Sequence, residues 1–287
     1  MLNLDGISPI IKKPCVVVSI FSGGPDSFCY TLKWIKEGCN LHLLTFNYGQ
    51  KASREVEVSK KLYEKLKEFA GESIRIEHKI LDISFMKDLW NKTQLIDKSK
   101  ELSSEYETSI VVPIRNVVML SIASAYAYSL ISEDESLNAY VIYGAHSDDA
   151  SISEKAGGPK YPDCSSECIE SLQASFRICH FPKDRRLEIW SPIREGMSKA
   201  ENIRKCYEIA ENIIYETWSC YRDGDFHCGK CESCINRHKA FLKANIPDCT
   251  IYGEPPGNPE EFIKVEKGYI HKSCKKFYEF STNYNKE

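Results

Sequence analysis

A short loop near the start of the chain has the residue types of a phosphate-binding site. It follows a run of β-formers at residues 16–21, precedes a helix-like segment, and reads Ser22-Gly23-Gly24-Pro25-Asp26-Ser27. Glycines let backbone N–H groups converge on an anion, serine hydroxyls add donors, and the next helix directs its positive dipole to the same point. Asp26 fits there if a divalent cation bridges it to phosphate oxygens. The alternative interpretation is an ordinary turn.

The loop differs from the two commonest nucleotide-binding motifs. It lacks the lysine of a Gly-x-x-x-x-Gly-Lys-Ser/Thr loop, and it lacks the Gly-x-Gly-x-x-Gly of dinucleotide binders. If it binds a nucleotide, it belongs to another class of phosphate loop.

A second cluster, near the C-terminus, has the spacing of a metal site. Cys220 is followed after seven residues by Cys228, Cys231 and Cys234 in the pattern Cys-x-x-Cys-x-x-Cys. Four thiolates saturate tetrahedral zinc, so we expect a closed, structural zinc site in which the adjacent His227 is not a ligand. The alternatives are an iron–sulfur cluster, in which this spacing also occurs, and chance clustering of thiols.

The other cysteines are expected to be free. The chain has 13 cysteines, and no secretory signal is recognisable, so a disulfide framework is not expected. We interpret Cys15, Cys29, Cys39 and Cys206 as small hydrophobic side chains, because their neighbours are apolar.

The elements that must position these residues alternate between strand and helix. Such alternation predicts an α/β fold with a doubly wound, mostly parallel sheet, in which ligands bind at the carboxyl ends of the strands. Strands are predicted at residues 15–21, 41–46, 74–81 and 139–143, and helices at 27–37, 53–69, 117–131 and 198–214. Ser198 and Glu201 have the spacing of a capping box at the start of the last helix.

The remaining segments divide the chain. Residues 82–108 are polar and weakly patterned, which suggests a lid or a partly ordered insertion, and residues 148–163 are loop-like. We expect an α/β domain at 14–215, a small four-cysteine zinc-binding subdomain at 216–245, and a C-terminal extension of unknown role at 246–287.

Composition limits the classes of partner. With 287 residues, a net charge of −3 and a pI of about 6.2, the chain has no general attraction to nucleic acid. Its longest apolar run, at residues 117–131, is too short to span a bilayer. We therefore expect a cytoplasmic protein that binds neither nucleic acid nor membrane.

Taken together, these motifs resemble those of the 7-cyano-7-deazaguanine synthase family in the N-type ATP pyrophosphatase superfamily. The similarity runs from about Cys15 to Phe241. Besides the loop, the similar segments are Thr45-Phe46-Asn47-Tyr48-Gly49-Gln50, Val112-Pro113-Ile114-Arg115-Asn116, Tyr161-Pro162-Asp163-Cys164, Pro192 with Ser198-Lys199-Ala200-Glu201, and Cys220-Tyr221 through Cys234 and Arg237.

The chain also departs from the family pattern. Ile114 replaces a glycine, Asn47 stands where an aspartate is frequent, residues 154–160 are extra, residues 179–186 are longer and more charged, and the tail after Asn245 has no counterpart. Most of these changes surround the expected substrate pocket. The resemblance therefore supports the ATP chemistry of the family more strongly than it supports the identity of the acceptor.

The resemblance implies an ATP-dependent carbon–nitrogen ligase with an adenine nucleotide alpha hydrolase-like, Rossmann-like fold. Its substrates are 7-carboxy-7-deazaguanine and ammonia, its product is 7-cyano-7-deazaguanine in the queuosine pathway, and activation of the carboxylate forms AMP and pyrophosphate. The implied cofactors are structural Zn²⁺ and ATP with Mg²⁺, and a homodimer is implied as well.

The resemblance also implies roles for individual residues. The catalytic set is Asp26, Arg115 and Lys199, the ATP-binding set is Ser22, Gly23, Gly24, Asp26 and Ser27, the substrate-binding set is Arg115, Asn116, Tyr161 and Asp163, and the metal ligands are Cys220, Cys228, Cys231 and Cys234. Arg115 could equally form a surface ion pair, Lys199 could be a solvated helix-end residue, and Asp163 could be a turn residue. Cys164 is not expected to be a nucleophile, because adenylation needs no thiol.

Four alternatives stay open at this point. The same activation could couple the deazaguanine acid to an amine of a protein or another acceptor, or the reaction could stop at the amide. The protein could instead catalyse tRNA thiolation, a reaction of related pyrophosphatases. A zinc module that binds nucleotide as a switch is the non-enzymatic alternative. The acidic balance of the chain disfavours the tRNA substrate, and the intact loop disfavours the switch.

Overall fold

The computed structural model describes residues 6–181 and 183–274, and its centre is a sheet of five parallel strands. The strands in chain order are β1 Cys15–Ile20, β2 Asn40–Asn47, β3 Ile76–Asp82, β4 Asn138–Ile142, β5 Ile152–Ser153, β6 Gly158–Pro159, β7 Leu187–Trp190, β8 Phe262–Val265 and β9 Gly268–His271. The central sheet has the order β3-β2-β1-β4-β7, and each of its pairs is parallel.

Helices cover both faces of this sheet. They are α1 Pro25–Lys36, α2 Arg54–Ala70, α3 Arg115–Ser132, α4 Ser166–Cys179, α5 Lys199–Ala210 and α6 Glu232–Ala244. One hydrophobic cluster packs α1, α2, α5 and α6 on one face, and a second packs α3 and α4 on the other. The predicted doubly wound α/β fold is confirmed.

The strand order reverses between β1 and β4. In open parallel sheets, ligands bind where the order reverses, outside the carboxyl ends of the strands. The Ser22–Ser27 loop follows β1 and Gly144 follows β4, so both lie at this point. The sheet therefore places the predicted phosphate loop in the crevice where such folds bind their ligands.

One helical stretch, residues 108–132, is long and apolar enough by composition to cross a membrane. It includes α3, whose buried residues Met119, Leu120, Ala123 and Ala127 pack in the core against β1 and β4. Of the 18-residue window that meets the criterion of length and composition, 39% is buried inside the structure.

Several elements are absent from the sequence prediction. Helix α4 and strand β7 were not predicted, and neither was the β8–β9 hairpin in the tail. Strand β7 has only four residues, including Glu188, and the hairpin strands are equally short, so neither offers a full period-two pattern. The last predicted helix ends early, at Ala210, and continues as a 3₁₀ turn over Glu211–Glu216. Its capping box, Ser198 with Glu201, is confirmed.

The segment 82–108 is a packed part of the fold. Its Trp90, Leu95 and Ile96 are buried in the hydrophobic cluster on the α3 face. Gln94 hydrogen bonds to Ser103 and to Ser109, which closes the segment on itself. The expectation of a partly ordered insertion was therefore wrong, because this polar sequence contains enough buried apolar side chains to fix its course, whereas the alternative of a lid stays a prediction.

The expectation of free cysteines also needs correction. Disulfides join Cys15 to Cys39, Cys29 to Cys206, and Cys249 to Cys274. The paired residues are 24, 177 and 25 positions apart in the sequence, so the pairing depends on the tertiary fold and could not be read from the order of residues. Disulfides are uncommon in intracellular proteins, except in those of hyperthermophilic organisms.

The predicted three-part division stays a prediction. The cluster that packs on α1 continues through Cys231 and Cys234 to Tyr252 and Phe262, so the parts share one core. The fully buried Arg237 donates hydrogen bonds to the carbonyl of Ile214, to Thr217 Oγ1 and to Thr250 Oγ1, which ties all three parts together. Residues 275–287 of the predicted extension lie outside the described residues.

Candidate active site and metal centre

The phosphate loop is closed by its own serines. Ser27 Oγ accepts from the backbone N–H of Ser22 at 3.3 Å and lies 3.2 Å from Ser22 Oγ, while Ser22 Oγ accepts from the N–H of Gly24 at 3.3 Å. Helix α1 begins at Pro25 with no side-chain cap, so its first N–H groups face the cavity without an internal partner. This arrangement is suited to binding an anion.

Two glycines let the loop approach neighbouring backbone. Gly23 has a φ of +82°, and a Cβ there would lie 2.9 Å from the carbonyl oxygen of Glu55 on α2. Gly144 follows β4, and a Cβ on it would lie 2.8 Å from the backbone of Asp26 and of Ser27. Both contacts are shorter than real Cβ contacts, so side chains at these positions would displace the loop.

Lys199 is held at both ends. Its Nζ donates to Asp26 Oδ2 at 2.7 Å, and its backbone N–H donates to Asp148 Oδ2 at 2.8 Å. Burial acts to raise the pKa of Asp26, but Lys199 and His146 outweigh burial, so the pKa falls below its ordinary value. The pair is therefore a carboxylate and an ammonium, and the resemblance-based residues Asp26 and Lys199 meet at the start of α1.

The other oxygen of Asp26 lacks a hydrogen-bond partner. Asp26 Oδ1 is buried, and His146 Nε2 lies 3.6 Å from it. Asp149 lies on the far side of the ring, with Oδ2 at 3.4 Å from His146 Nδ1. Burial raises the pKa of Asp149, and repulsion from Asp26 adds to the rise. An unpartnered carboxylate oxygen beside a phosphate loop fits Mg²⁺, which binds through one or two carboxylates and substrate phosphates.

Arg115 is a cavity residue at the start of α3. Its Nη1 donates to Tyr48 Oη at 3.0 Å, and its guanidinium lies 5.6 Å from the Tyr48 ring centre. Tyr48, Glu55 and Arg115 line the same cavity as the loop. The interpretation of Arg115 as a surface ion pair therefore does not describe its environment.

We expect the substitution Glu55→Gln to stabilise the protein at pH 8 but not at pH 4. Burial raises the pKa of Glu55 from 4.5 to about 7, although Arg115 and Gln50 oppose the rise. Because the unfolded chain releases this proton before the native state does, native stability is lost as pH rises from 4.5 to about 7. Glutamine stays neutral, so the variant should gain about 2–3 kcal/mol at pH 8, measured by denaturant unfolding.

The control for this substitution is the solvent-facing Glu57→Gln on the same helix, which should change stability equally at both pH values. A Glu55→Gln gain that is the same at pH 4 and pH 8 would contradict the assignment of the raised pKa to Glu55.

Ile114, which replaces a glycine of the family pattern, has a left-handed backbone. Its φ is +48° and its side chain is 63% exposed. A β-branched residue in this region is a rare and strained conformation. We expect Ile114→Gly to stabilise the protein by about 1 kcal/mol, measured by chemical unfolding, because the strain is relieved and little burial is lost. Ile7→Gly, at another exposed isoleucine with ordinary φ, is the control. An unchanged or lowered stability of Ile114→Gly would refute this expectation.

The segment from Tyr161 to Cys164 packs against the start of α3. Asp163 Oδ2 accepts from the N–H of Asn116 at 3.1 Å, and Cys164 Sγ accepts from Asn116 Nδ2 at 3.3 Å. Burial raises the pKa of Cys164 well above its ordinary value, with Asp149 and Asp163 adding to the rise. The thiol therefore stays protonated, which supports the expectation that Cys164 is not a nucleophile.

Glu232 brings a buried carboxylate from the cysteine region into the same cavity. Its Oε2 accepts from Tyr161 Oη at 3.3 Å and from Tyr221 Oη at 3.2 Å, and its Oε1 accepts from Asn236 Nδ2 at 3.1 Å. Glu232 is only 5% exposed, and the three groups that donate to it are neutral. Such a carboxylate can also accept from ligand N–H groups in the cavity.

The four cysteines Cys220, Cys228, Cys231 and Cys234 converge. All four sulfur atoms lie within 4.8 Å of one another, and three of the separations among them are 3.5, 3.9 and 4.0 Å. A single tetrahedral zinc with Zn–S bonds of about 2.3 Å needs sulfurs about 3.8 Å apart. The sulfurs of Cys220 and Cys228 each accept backbone N–H groups, as metal thiolates do. The spacing fits one ion better than a cluster whose cysteines bind different iron atoms.

His227, adjacent to this group, is not one of its members. Its Nε2 accepts from the backbone N–H of Ser219 at 3.2 Å, and its ring stacks on Trp218. Gly229, with a φ of +78°, makes the turn between Cys228 and Cys231, where a Cβ would collide with the backbone of Glu254.

One cavity of about 590 Å³ collects most of the residues that the sequence suggested. It is lined by Ser22, Gly24, Asp26, Ser27, Arg115, Asn116, Tyr161, Asp163 and Lys199, among others. Gly23 lies behind the loop against α2, and the four cysteines of the predicted metal site are not among the cavity residues. Its volume is in the range of small-molecule sites.

Several cavity residues are not predicted by the sequence. Glu55, His146, Asp149 and Glu232 line the cavity, and none of them belongs to a recognisable motif on its own. Glu232 could have been predicted as a cavity residue. It is an acidic residue inside the predicted metal-binding turn, so it lies beside the part of the protein on which that turn packs. The others depend on strand order, which brings residues distant in sequence to one edge.

Comparisons with known proteins agree with this architecture. The model of the family described as queuosine biosynthesis protein QueC matches residues 16–245. A 7-cyano-7-deazaguanine synthase from Hahella chejuensis is 34% identical over an alignment of 244 residues, which covers 83% of this chain and 94% of that protein. One from the archaeon Archaeoglobus fulgidus is 31% identical over 247 residues, with coverage of 83% and 90%.

Among solved structures, a 4-thiouridine synthetase in complex with RNA and ATP covers 80% of this chain and 50% of its own, with 16% identity and a TM-score of 0.44. The family model and the relatives, which this chain matches over most of their length, establish the assignment. This chain belongs to the QueC family, that of the 7-cyano-7-deazaguanine synthases.

Proposed function

We propose that the protein converts 7-carboxy-7-deazaguanine and ammonia to 7-cyano-7-deazaguanine at the expense of ATP. The observation that carries this proposal is that the phosphate loop, the Asp26–Lys199 pair and Arg115 line one cavity in a chain of the QueC family. The reaction needs an anion cradle and cations beside a small planar acid, and this cavity has both. The enzyme is accordingly a carbon–nitrogen ligase.

ATP supplies the leaving group that the carboxylate lacks. A substrate carboxylate oxygen attacks the α-phosphorus, the bond to the β-phosphate oxygen breaks, and pyrophosphate leaves as an acyl-adenylate forms. Negative charge grows on the departing pyrophosphate, where the N–H groups at the start of α1 and the hydroxyls of Ser22 and Ser27 stabilise it. These donors are already oriented, so little reorganisation is needed.

Ammonia then attacks the acyl carbon and AMP leaves, which gives the primary amide. A second ATP activates the amide oxygen in the same way, with release of pyrophosphate, and loss of AMP and of both amide N–H protons leaves the nitrile. Both activations place negative charge on the α-phosphate, next to which we place Lys199. Lys199 has one ammonium group for two anions, the Asp26 carboxylate and the phosphate. Its contact with Asp26 would therefore have to break when the phosphate oxygens and Mg²⁺ bind.

Substrate recognition is divided between two ends of the cavity. We assign Arg115 to the substrate carboxylate, because a guanidinium binds carboxylates in a bidentate manner. We assign Glu232, together with the predicted Asp163, Tyr161 and Asn116, to the guanine-like ring, whose N–H groups require acceptors. Asp163 already caps α3 with one oxygen, so Glu232 is the stronger acceptor candidate.

The cofactors follow from the donor sets. Asp26 Oδ1 would bind Mg²⁺ together with ATP phosphates, and the metal would neutralise charge on the leaving pyrophosphate. The four cysteines would bind Zn²⁺ in a closed site, which fixes the turn that carries Glu232. A cytoplasmic location and a homodimer stay predictions.

The test is a mass-spectrometric assay of the purified protein with ATP, Mg²⁺, 7-carboxy-7-deazaguanine and an ammonium salt. The expected products are the nitrile, AMP and pyrophosphate, with two AMP released per nitrile. If AMP appears without nitrile but with a mass increase on an amine acceptor, the conjugating alternative replaces the proposal. If ATP is not consumed with this acid, the substrate assignment is wrong.

A further inference from the structure

A second group of potential metal ligands lies outside the cavity, between α6 and the tail hairpin. His238 of α6, Glu261 just before β8, and His271 at the end of β9 have ligand atoms within 4.8 Å of one another. Two imidazoles and one carboxylate are a frequent donor set for zinc and other first-row divalent ions, and leave a position for water. None of these residues takes part in the proposed reaction.

His238 is oriented as a metal-binding histidine would be. Its Nδ1 donates to Asp248 Oδ2 at 2.8 Å, and that same oxygen accepts from Tyr252 Oη at 2.8 Å. A carboxylate behind the ring fixes its orientation and leaves Nε2 for a ligand, as is usual for histidines bound to metals. The neighbouring Gly257 keeps space beside Nε2, since a Cβ there would lie 3.3 Å away.

His271 completes the group from the opposite side. Its Nδ1 lies 2.7 Å from Ser273 Oγ and accepts from the backbone N–H of Ser273 at 3.3 Å, and metal binding through Nε2 requires the tautomer in which Nδ1 donates to Ser273 Oγ instead. The two imidazole ring centres are 5.1 Å apart, and both rings pack against Phe262, which forms an apolar wall. This supporting environment is what holds ligands of a metal site in place.

The hairpin is anchored independently of any metal. Tyr252 and Tyr269 exchange two backbone hydrogen bonds, and the Cys249–Cys274 disulfide closes the same segment. The opposite face of α6, with Asn236, Ala240 and Lys243, lines the catalytic cavity. A metal here would therefore join the tail to the back of a helix that forms the active site.

We propose that His238, Glu261 and His271 bind a Zn²⁺ ion, distinct from that of the four cysteines, which clamps the C-terminal hairpin to α6. The assignment goes beyond the ligase activity and does not depend on it. It also gives a role to the tail, whose hairpin carries two of the three ligands.

The test counts metals in the full-length protein. Purified protein is loaded with Zn²⁺, dialysed and measured by inductively coupled plasma mass spectrometry, and Zn²⁺ binding is followed by calorimetry. We expect two zinc ions per chain in the natural protein and one in His271→Gln and in Glu261→Gln. These side chains are at least partly exposed, so their substitution should preserve the fold, which circular dichroism checks. His180→Gln, at a partly buried histidine elsewhere, is the control and should keep two.

Replacement with Co²⁺ separates the two sites. Filling the cysteine site produces thiolate-to-metal charge-transfer absorption, whereas the second equivalent should add only the weaker visible bands of a nitrogen–oxygen site. These added bands should vanish in His271→Gln. One metal per chain in the natural protein, or an equal second equivalent in both cluster variants, would overturn the proposal.

Discussion

Replacing Lys199 by alanine is expected to lower kcat/KM for nitrile formation by about 10³-fold. The Nζ of Lys199 is the cation closest to Asp26 and faces the loop where the phosphates of ATP would lie. Removing one preorganised donor from a site of developing negative charge costs about 10²–10³-fold, and loss of a full positive charge should lie at the upper end. The measurement is steady-state release of AMP and nitrile.

The matched control is Lys205→Ala, on the same helix and exposed to solvent. It should retain nearly full activity. Because Asp26 would be left without its partner in Lys199→Ala, folding must be checked by thermal unfolding. A variant that folds and still turns over at more than about a tenth of the natural rate would show that Lys199 only positions Asp26.

The loop and the cysteine group could be predicted because their residues are close together in the sequence. Serines and glycines at residues 22–27 determine local backbone geometry, and the four cysteines define their own ligand set. By contrast, Lys199 comes to Asp26 from 173 residues away, so the pair was named only through the resemblance to a family. Local patterns predict local structure, and the long-range contact needed the strand order of the sheet.

The errors have the same origin. The pattern of residues 82–108 is polar, yet three buried side chains in it, Trp90, Leu95 and Ile96, decide its packing. The cysteines of these disulfides have apolar sequence neighbours, as core residues do. Apolar neighbours do not indicate whether a second cysteine lies opposite in the folded chain. Strand β7 is recognisable only beside β4, where it completes the parallel sheet.

The titratable groups of the cavity form two zones. Asp26, His146, Asp149 and Lys199 surround the phosphate loop, while Arg115 and Glu232 lie near Tyr161 and Tyr221. If ATP binds at the loop as proposed, its phosphates lie beside the carboxyl groups of Asp26 and Asp149, and Mg²⁺ and Lys199 would have to add to the loop donors to make this area favourable for an anion. From this arrangement we infer that ATP binding depends strongly on Mg²⁺.

The second large effect is expected from Gly144→Ala. A Cβ at this position would lie 2.8 Å from the backbone of Asp26 and of Ser27, and backbone atoms at the start of α1 cannot rotate away as a side chain would. Either β4 or the loop must shift. We expect the free energy of unfolding to fall by about 2–3 kcal/mol, and ATP binding to weaken by at least about tenfold, because the N–H groups of the loop lose their alignment.

Calorimetry of ATP binding and denaturant unfolding measure the two effects separately. Gly158→Ala is the matched control, since Gly158 lacks a positive φ and a Cβ there would meet nothing within 4 Å. It should leave both quantities nearly unchanged. If Gly144→Ala lost stability but bound ATP normally, the shift would have been absorbed by β4, and the loop would not depend on this contact. If it lost ATP binding alone, the loop would be the part that moves.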